Sequence, residues 1–421
     1  MALLERAMAR NGRHLLQVIE EHILQEPVQA TFKGLVHHGR HARSKFVAHN
    51  LREQLCVRLA HQARRMELFP RPPGASTHHL DQLMRVHTDT LRELHDMKPV
   101  VDRILHESRE LSLHHQRCDP LDDFRRCIEA INNRHTSNVE TLMEAKMEAS
   151  RHPDVVEGGR KKLSSQENQD HRYQQHHHLQ RQVEEKEDRL QLLIDEFLAM
   201  HISFQLLCRH YLQSLKPADL ENSSERTGLV AERCLLNEVV ADAVGETQLI
   251  TEHHLVDSPD VIVEGDVDAR ASCIPSHVHH IIFEVLKNAL RATALNHAAV
   301  ANELPPVRVR IAEGKRQVSV CISDEGGGMG MTTARNAFRY MWTSSERHAE
   351  AQEKHQKNAS YQPETDPLSG MGIGLPVSRL YARHFGGDLK MMSLEGFGTH
   401  VGLFLPAVED GLERLPRLPG R

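Results

Sequence analysis

Aromatic side chains are scarce in this 421-residue chain: they make up 4% of it, and Trp342 is the only tryptophan. No apolar run approaches the ~20 residues that cross a bilayer as a helix, so a membrane-embedded receptor is not expected. The seven cysteines (Cys56, Cys118, Cys127, Cys208, Cys234, Cys273, Cys321) stand far apart and form no CxxC pair. That argues against a disulfide framework or a cysteine zinc site, and fits free thiols in a reducing compartment. Positive charge is not in excess. The net charge is -6, and no basic stripe is interleaved with aromatics, so nucleic acid is not an expected partner. Histidine is plentiful at 32 but scattered. The run His176, His177, His178 lies in a polar segment and reads as solvated, with a weak metal site as the lesser alternative.

Hydrophobic residues reach 39%, enough for cores, and the length suits two or three domains. The first 41 residues read as a separate segment. Arg6, Arg10 and Arg13 among Leu and Ala suggest an amphipathic presequence, whereas Glu5, Glu20 and Glu21 suit an ordinary surface helix. Residues 42–225 read as a bundle of four long helices. The first, about 42–70, places Phe46, Val47, Leu51, Leu55 and Leu59 inward and stops at the prolines from Pro70 onward. The second fits 77–107, the third 119–151, and the fourth about 182–215 with Leu190, Leu193, Ile194 and Phe197 inward. Residues 152–180 read as a polar loop.

Past a polar hinge the pattern changes to strands, over 228–407. A helix is expected from Cys234 to about His254, a strand over 260–264, and a hairpin of 306–312 with 315–323 around Glu313-Gly314. The second hairpin strand ends directly at Asp324. Residues 330–369 form a long polar segment, read as a lid. A helix over 376–385 and strands over 388–393 and 400–405 follow, and residues 408–421 read as an unstructured tail. Helices on one face of a mixed sheet give an α/β sandwich, so the fold class is α+β.

The stretch Ser276 to Thr293 organises the second half. Ile281, Ile282, Val285, Leu286, Ala289 and Leu290 recur at helical spacing, and Ser276 is placed as the N-cap. His280, Glu284 and Asn288 stand four apart, on one face of the helix. Asn288 can offer magnesium an oxygen. Glu284 can accept a proton from a hydroxyl or a water. His280 can orient Glu284 or adjust its basicity. Lys287 and Arg291 suit either phosphates or a solvated face. Downstream come Asp324-Glu325-Gly326-Gly327-Gly328, Gly370-Met371-Gly372-Ile373-Gly374-Leu375, and Gly396-Phe397-Gly398-Thr399.

These four boxes, in this order, resemble the Bergerat ATP-binding fold of histidine kinases, heat-shock chaperones, mismatch-repair ATPases and mitochondrial dehydrogenase kinases. In such a site Asp324 accepts the adenine amine, being a pure acceptor when ionised. Gly326, Gly327 and Gly328 let the backbone approach the base, and the Thr399 hydroxyl supports adenine and Asp324. Gly370, Gly372 and Gly374 precede a helix whose N-terminus suits phosphates. The likeness narrows further. SHVHHIIFEVLKNALRAT, SDEGGGM, YMWTS and GMGIGLPVSRLYARHFGGDLKMMSLEGFGT are similar to the mitochondrial pyruvate dehydrogenase and branched-chain α-ketoacid dehydrogenase kinases. The similarity is firm over about 270–405 and fainter over the bundle.

That resemblance implies a protein serine kinase of the mitochondrial matrix, acting with ATP and Mg2+ on the E1α subunit of an α-ketoacid dehydrogenase complex and switching it off. It implies Glu284 as general base with His280 tuning it, and Asn288 as magnesium ligand. It also implies a nucleotide segment of Glu284, Val285, Leu286, Lys287, Asn288, Ala289, Leu290 and Arg291, with Asp324, Gly326 and Gly328 at the base. Thr343 and Ser344 fall near ribose and phosphates, and Gly370, Met371, Gly372, Ile373, Gly374 and Leu375 form the phosphate loop. The family works as homodimers docked on E2 lipoyl domains. The long aromatic tail of the pyruvate dehydrogenase kinases is missing after the last strand, which leans the reading slightly towards the branched-chain kinases. Two rival classes are a histidine kinase, for which no phosphoacceptor box is found, and an ATP-binding scaffold or ATPase in which Glu284 activates water.

Overall fold

The computed structural model describes residues 12–71, 76–106, 119–150, 169–216, 226–254, 258–297, 304–342, 372–406 and 411–418. These fall into two compact units. The first takes the described residues up to Val28, those of His41–Leu215 and those from Leu415 onward. The second takes Gln29–Arg40 and Lys216–Arg414. The stretch 29–40, expected outside both domains, is therefore part of the second unit.

Chain order begins with α1 (Gly12–Ile23), α2 (Phe32–Arg40) and α3 (Lys45–Glu67). In α3, Leu51, Leu55 and Leu59 are buried as expected, but Phe46 is exposed, being in the helix's first turn at the rim. Two expected helices are broken. The second becomes α4 (His78–Asp96) and α5 (Lys98–His106), because Pro99 has no amide to continue the ladder. The third becomes α6 (Pro120–Arg134) and α7 (Asn138–Ser150). His135 at that joint is fully buried, with one ring nitrogen 2.9 Å from Thr90 Oγ1 and the other 2.7 Å from Asn138 Nδ2. The fourth, α8 (Gln169–Ser214), begins well inside the expected 152–180 loop. Its polar first half has no apolar stripe to announce it. Helices α1 and α3 to α8 build the first unit around Leu55, Leu59, Phe124, Ile194 and Phe197.

The second unit continues with β1 (Arg226–Thr227), β2 (Val230–Leu235), α9 (Leu236–His254), β3 (Val261–Gly265), β4 (Arg270–Cys273) and α10 (Pro275–His297). Then come β5 (Val307–Glu313), β6 (Gln317–Asp324), α11 (Met331–Asn336), α12 (Gly374–His384), β7 (Asp388–Leu394) and β8 (Gly398–Pro406). Cys234 lies on β2 rather than on a helix, and α11 interrupts the segment expected to be irregular. A small sheet runs β1-β2-β4. The main sheet runs β3-β5-β6-β8-β7, with β3 parallel to β5 and the other pairs antiparallel. Alternation decides which side is covered: Val307, Val309 and Ile311 of β5 are buried, while Arg308 and Arg310 face out. The buried face carries α10 through Ile281, Ile282, Val285, Leu286, Ala289 and Leu290, and α9 through Val240 and Ala243. Pro275, not Ser276, opens α10, because proline suits the first helical turn, where no amide donor is needed.

Candidate nucleotide and phosphoryl-transfer site

One face of α10 is held against the sheet, so its other side is presented at a fixed angle. Asn288 is exposed there and Glu284, one turn earlier, is half-buried. Glu284 is not held by His280. Its Oε1 lies 2.9 Å from Nζ of Lys287, which is itself buried and stacks its ammonium 5.4 Å from the Phe283 ring. Lys287, read from sequence as a phosphate or surface residue, is thus the partner of the proposed base. His280 Nε2 is buried with no hydrogen-bond partner among the described residues, and the ring meets Tyr381 edge-on at 5.3 Å. Burial lowers the His280 pKa, with the Glu284 charge opposing that shift. A neutral imidazole beside Glu284 acts on it through its field rather than through a hydrogen bond. Arg291 is half-buried on the next turn, and Val285, Leu286, Ala289 and Leu290 belong to the core.

Asp324 ends β6 opposite Thr399 of β8. Its Oδ1 accepts from the amides of Gly326 at 2.9 Å and Thr399 at 3.2 Å. The other carboxylate oxygen carries no hydrogen bond among the described residues. Burial raises the Asp324 pKa, and the two amides work against that rise. Thr399 therefore supports Asp324 through its backbone and not, as expected, through its hydroxyl. That hydroxyl meets Ser393 Oγ at 2.9 Å, and Ser393 Oγ also accepts from Met329 N at 2.8 Å. Ser393 is a supporting residue that the motifs did not single out. The glycines are sterically required. A Cβ on Gly326 would lie 2.6 Å from Ala292 Cβ of α10, and one on Gly328, at φ 65, would lie 2.0 Å from the Leu394 carbonyl oxygen.

The third corner is the start of α12. Gly372, at φ 70, accepts at its carbonyl oxygen from Met341 N at 2.9 Å, and a Cβ there would lie 2.5 Å from Trp342 O. A Cβ on Gly374 would meet Glu284 Oε2 at 2.1 Å, so the first turn of α12 comes against the Glu284 carboxylate. Ile373 precedes that turn and Leu375 packs from it against the core. Arg379 of α12 stacks over Phe338 at 4.7 Å and lies 3.6 Å from Asp388. Burial pushes the Asp388 carboxyl up, but the hydrogen bond from Arg383 and the charges of Arg383 and Arg379 pull it below its usual value. Thr343, Ser344, Gly370 and Met371 lie outside the described residues. The sequence boxes on α10, β6, β8 and α12 are thus brought next to one another by the fold, and their spacing in sequence conceals that closeness.

A carboxylate at a strand end, a carboxamide and a carboxylate one helical turn apart, and a helix N-terminus beside them are the groups a nucleotide-binding ATPase or kinase domain would use. Residues 273–409 match the family described as histidine kinase-, DNA gyrase B- and HSP90-like ATPase. Residues 29–231 match the family described as mitochondrial branched-chain alpha-ketoacid dehydrogenase kinase. Similarity also runs along most of the chain to the mitochondrial pyruvate dehydrogenase (acetyl-transferring) kinase of Drosophila melanogaster, 28% identical over 92% of this chain and 84% of that protein. It extends to isozyme 3 of Mus musculus, 28% identical over 94% of this chain and 86% of that protein. Isozyme 1 of Homo sapiens is 31% identical over 54% of this chain and 52% of that protein. Over most of its length the chain is thus similar to mitochondrial dehydrogenase kinases, and its second half to an ATP-binding domain family.

Proposed function

We propose that this chain transfers the terminal phosphoryl group of ATP to a serine hydroxyl on the E1α subunit of an α-ketoacid dehydrogenase complex in the mitochondrial matrix. The observation that carries the reading is Glu284, placed between Lys287 and the first turn of α12, one helical turn from the exposed Asn288. A carboxylate there could take the proton of an incoming hydroxyl or of a water, and similarity to protein kinases favours the hydroxyl. Kinship with enzymes named for pyruvate dehydrogenase supports the substrate class. The branched-chain family match over 29–231 keeps both complexes in view.

The residues present suit a nucleotide. Asp324 offers an acceptor oxygen beside the glycines Gly326 and Gly328, where a side chain does not fit. Asn288 is exposed and would hold magnesium, which when bound neutralises phosphate charge. The N-terminus of α12 would meet the phosphates. Glu284 then takes the serine proton, Lys287 fixes the carboxylate, and His280 supplies an uncharged neighbour. Family kinship further supports a homodimer docked on E2 lipoyl domains.

The test is transfer from labelled magnesium-ATP to purified E1α of the pyruvate and branched-chain complexes, side by side, with phosphoserine mapping. Labelled serine on one of them is the expected result and identifies the substrate. Tight ATP binding with phosphate released to solvent would point to an ATPase instead, and acid-labile phosphohistidine to a histidine kinase.

A further inference from the structure

The phosphate-loop helix α12 is gripped at its far end by two segments from opposite ends of the sequence. Residues 30–32 and 411–413 run antiparallel, bridged at Thr31 and Leu412. Glu413 N donates to Ala30 O at 2.8 Å, and Phe32 N to Gly411 O at 3.3 Å. Arg414 N donates at 2.8 Å to the carbonyl of His384, the last residue of α12, which satisfies one of the orphan acceptors of a helix C-terminus. Phe32 stacks on Phe385 at 4.3 Å. At the centre, Glu413 Oε1 lies 3.1 Å from His384 Nε2, with the two side chains 0% and 1% exposed, and Glu413 Oε2 accepts from Ala30 N at 2.9 Å.

A carboxylate buried this completely is stable only with donors or a cation around it. A surface pair would do nothing comparable. The clasp therefore has one strongly specified geometry. Helix α12 spans 11 residues, a rod of about 16 Å, too short to bend appreciably. Fixing its C-terminal end fixes where its first turn, Gly374 against Glu284, points. Asp324, which is held by the amides of Gly326, just past β6, and Thr399 of β8, does not depend on this anchor.

We infer that Glu413 and His384 are positioning residues for phosphate binding: through the clasp with residues 30–32 they set α12 against the nucleotide's phosphates. The inference rests on the nucleotide reading above. The test compares Glu413→Ala and Glu413→Gln with the wild-type full chain, measuring Kd for magnesium-ATP and for adenosine alone. Glu413→Ala is expected to weaken ATP about tenfold or more while adenosine changes less than twofold. Glu413→Gln, which can still accept from Ala30 N, is expected to recover part of the loss. Equal weakening of both ligands, or unchanged ATP affinity, would overturn the inference. So would failure of both variants to fold, because the pair would then maintain the unit rather than aim the helix. Wild-type protein that binds neither ligand would instead sink the nucleotide reading, and the inference would fall with it.

Discussion

Single side chains divide the labour of the site, and the division can be measured. Glu284→Gln keeps the volume and an oxygen for Lys287 but cannot take a proton. ATP affinity is expected to stay within threefold while phosphoryl transfer to E1α falls by about 10²–10⁴, the usual range for a lost general base. Normal transfer by this variant in a single-turnover assay would remove Glu284 from the chemistry. The glutamine is preferable to alanine, which would leave the buried Lys287 ammonium unpaired. Asp324→Asn replaces an acceptor with a group that also donates. It should weaken ATP and adenosine alike by about 10–100-fold, since hydrogen bonds to charged groups contribute about 1.5–3 kcal/mol. Calorimetric titration of both ligands checks this, and a selective loss of ATP alone would contradict the adenine role. Asn288→Ala is expected to abolish magnesium-ATP turnover in the same transfer assay.

Elements show what could be read from sequence and what could not. Helix α10 was legible because its apolar residues keep one period over more than four turns, and the hairpin β5-β6 because alternation brackets Glu313-Gly314. Strand β4 (Arg270–Cys273) was not, because four residues are too few to show a period. The first half of α8 was missed for a different reason: a helix made of Gln, His, Arg and Glu has no apolar face to recognise. The boxes singled out Glu284, Asn288 and Asp324 as candidates. They did not reveal that Lys287 holds Glu284, that Ser393 holds the turn, or that Thr399 acts through its amide, because these depend on which atoms the fold brings together. The β6–β8 edge gives its own test. Gly328→Ala would force a Cβ to 2.0 Å from Leu394 O at φ 65, so the Gly326–Met329 turn must move. ATP and adenosine binding should both be lost, with the circular-dichroism spectrum preserved. Wild-type affinity in this variant would show that the turn is not part of the adenine site.

At the scale of the molecule, the helical unit has an unusual titration. Burial lowers His87 to about 4 and His201 to about 3, and pushes His135 down as well. Their folded forms are neutral, and unfolding returns each to about 6.5. As pH falls below about 6.5 the unfolded chain takes up protons that the folded unit refuses, so stability falls with pH. Each such histidine removes about 1.4 kcal/mol per pH unit until its folded value is reached. His22, raised chiefly by its hydrogen bond with Glu53, works in the opposite sense for one proton. The urea midpoint of the helical circular-dichroism signal should therefore drop steeply between pH 6.5 and about 4, and His201→Leu should make that drop shallower. A midpoint independent of pH in this range would show that these rings take up protons in the folded state.

The pairing of Ala30 with Glu413 joins residues 383 positions apart. During synthesis at about 5–20 residues per second, Ala30 waits on the order of 20–80 s before its partner exists. Until the chain has reached the far end of α12, Phe32 also lacks the Phe385 ring on which it stacks in the finished fold. The clasp that aims α12 is therefore among the last contacts of the second unit to form.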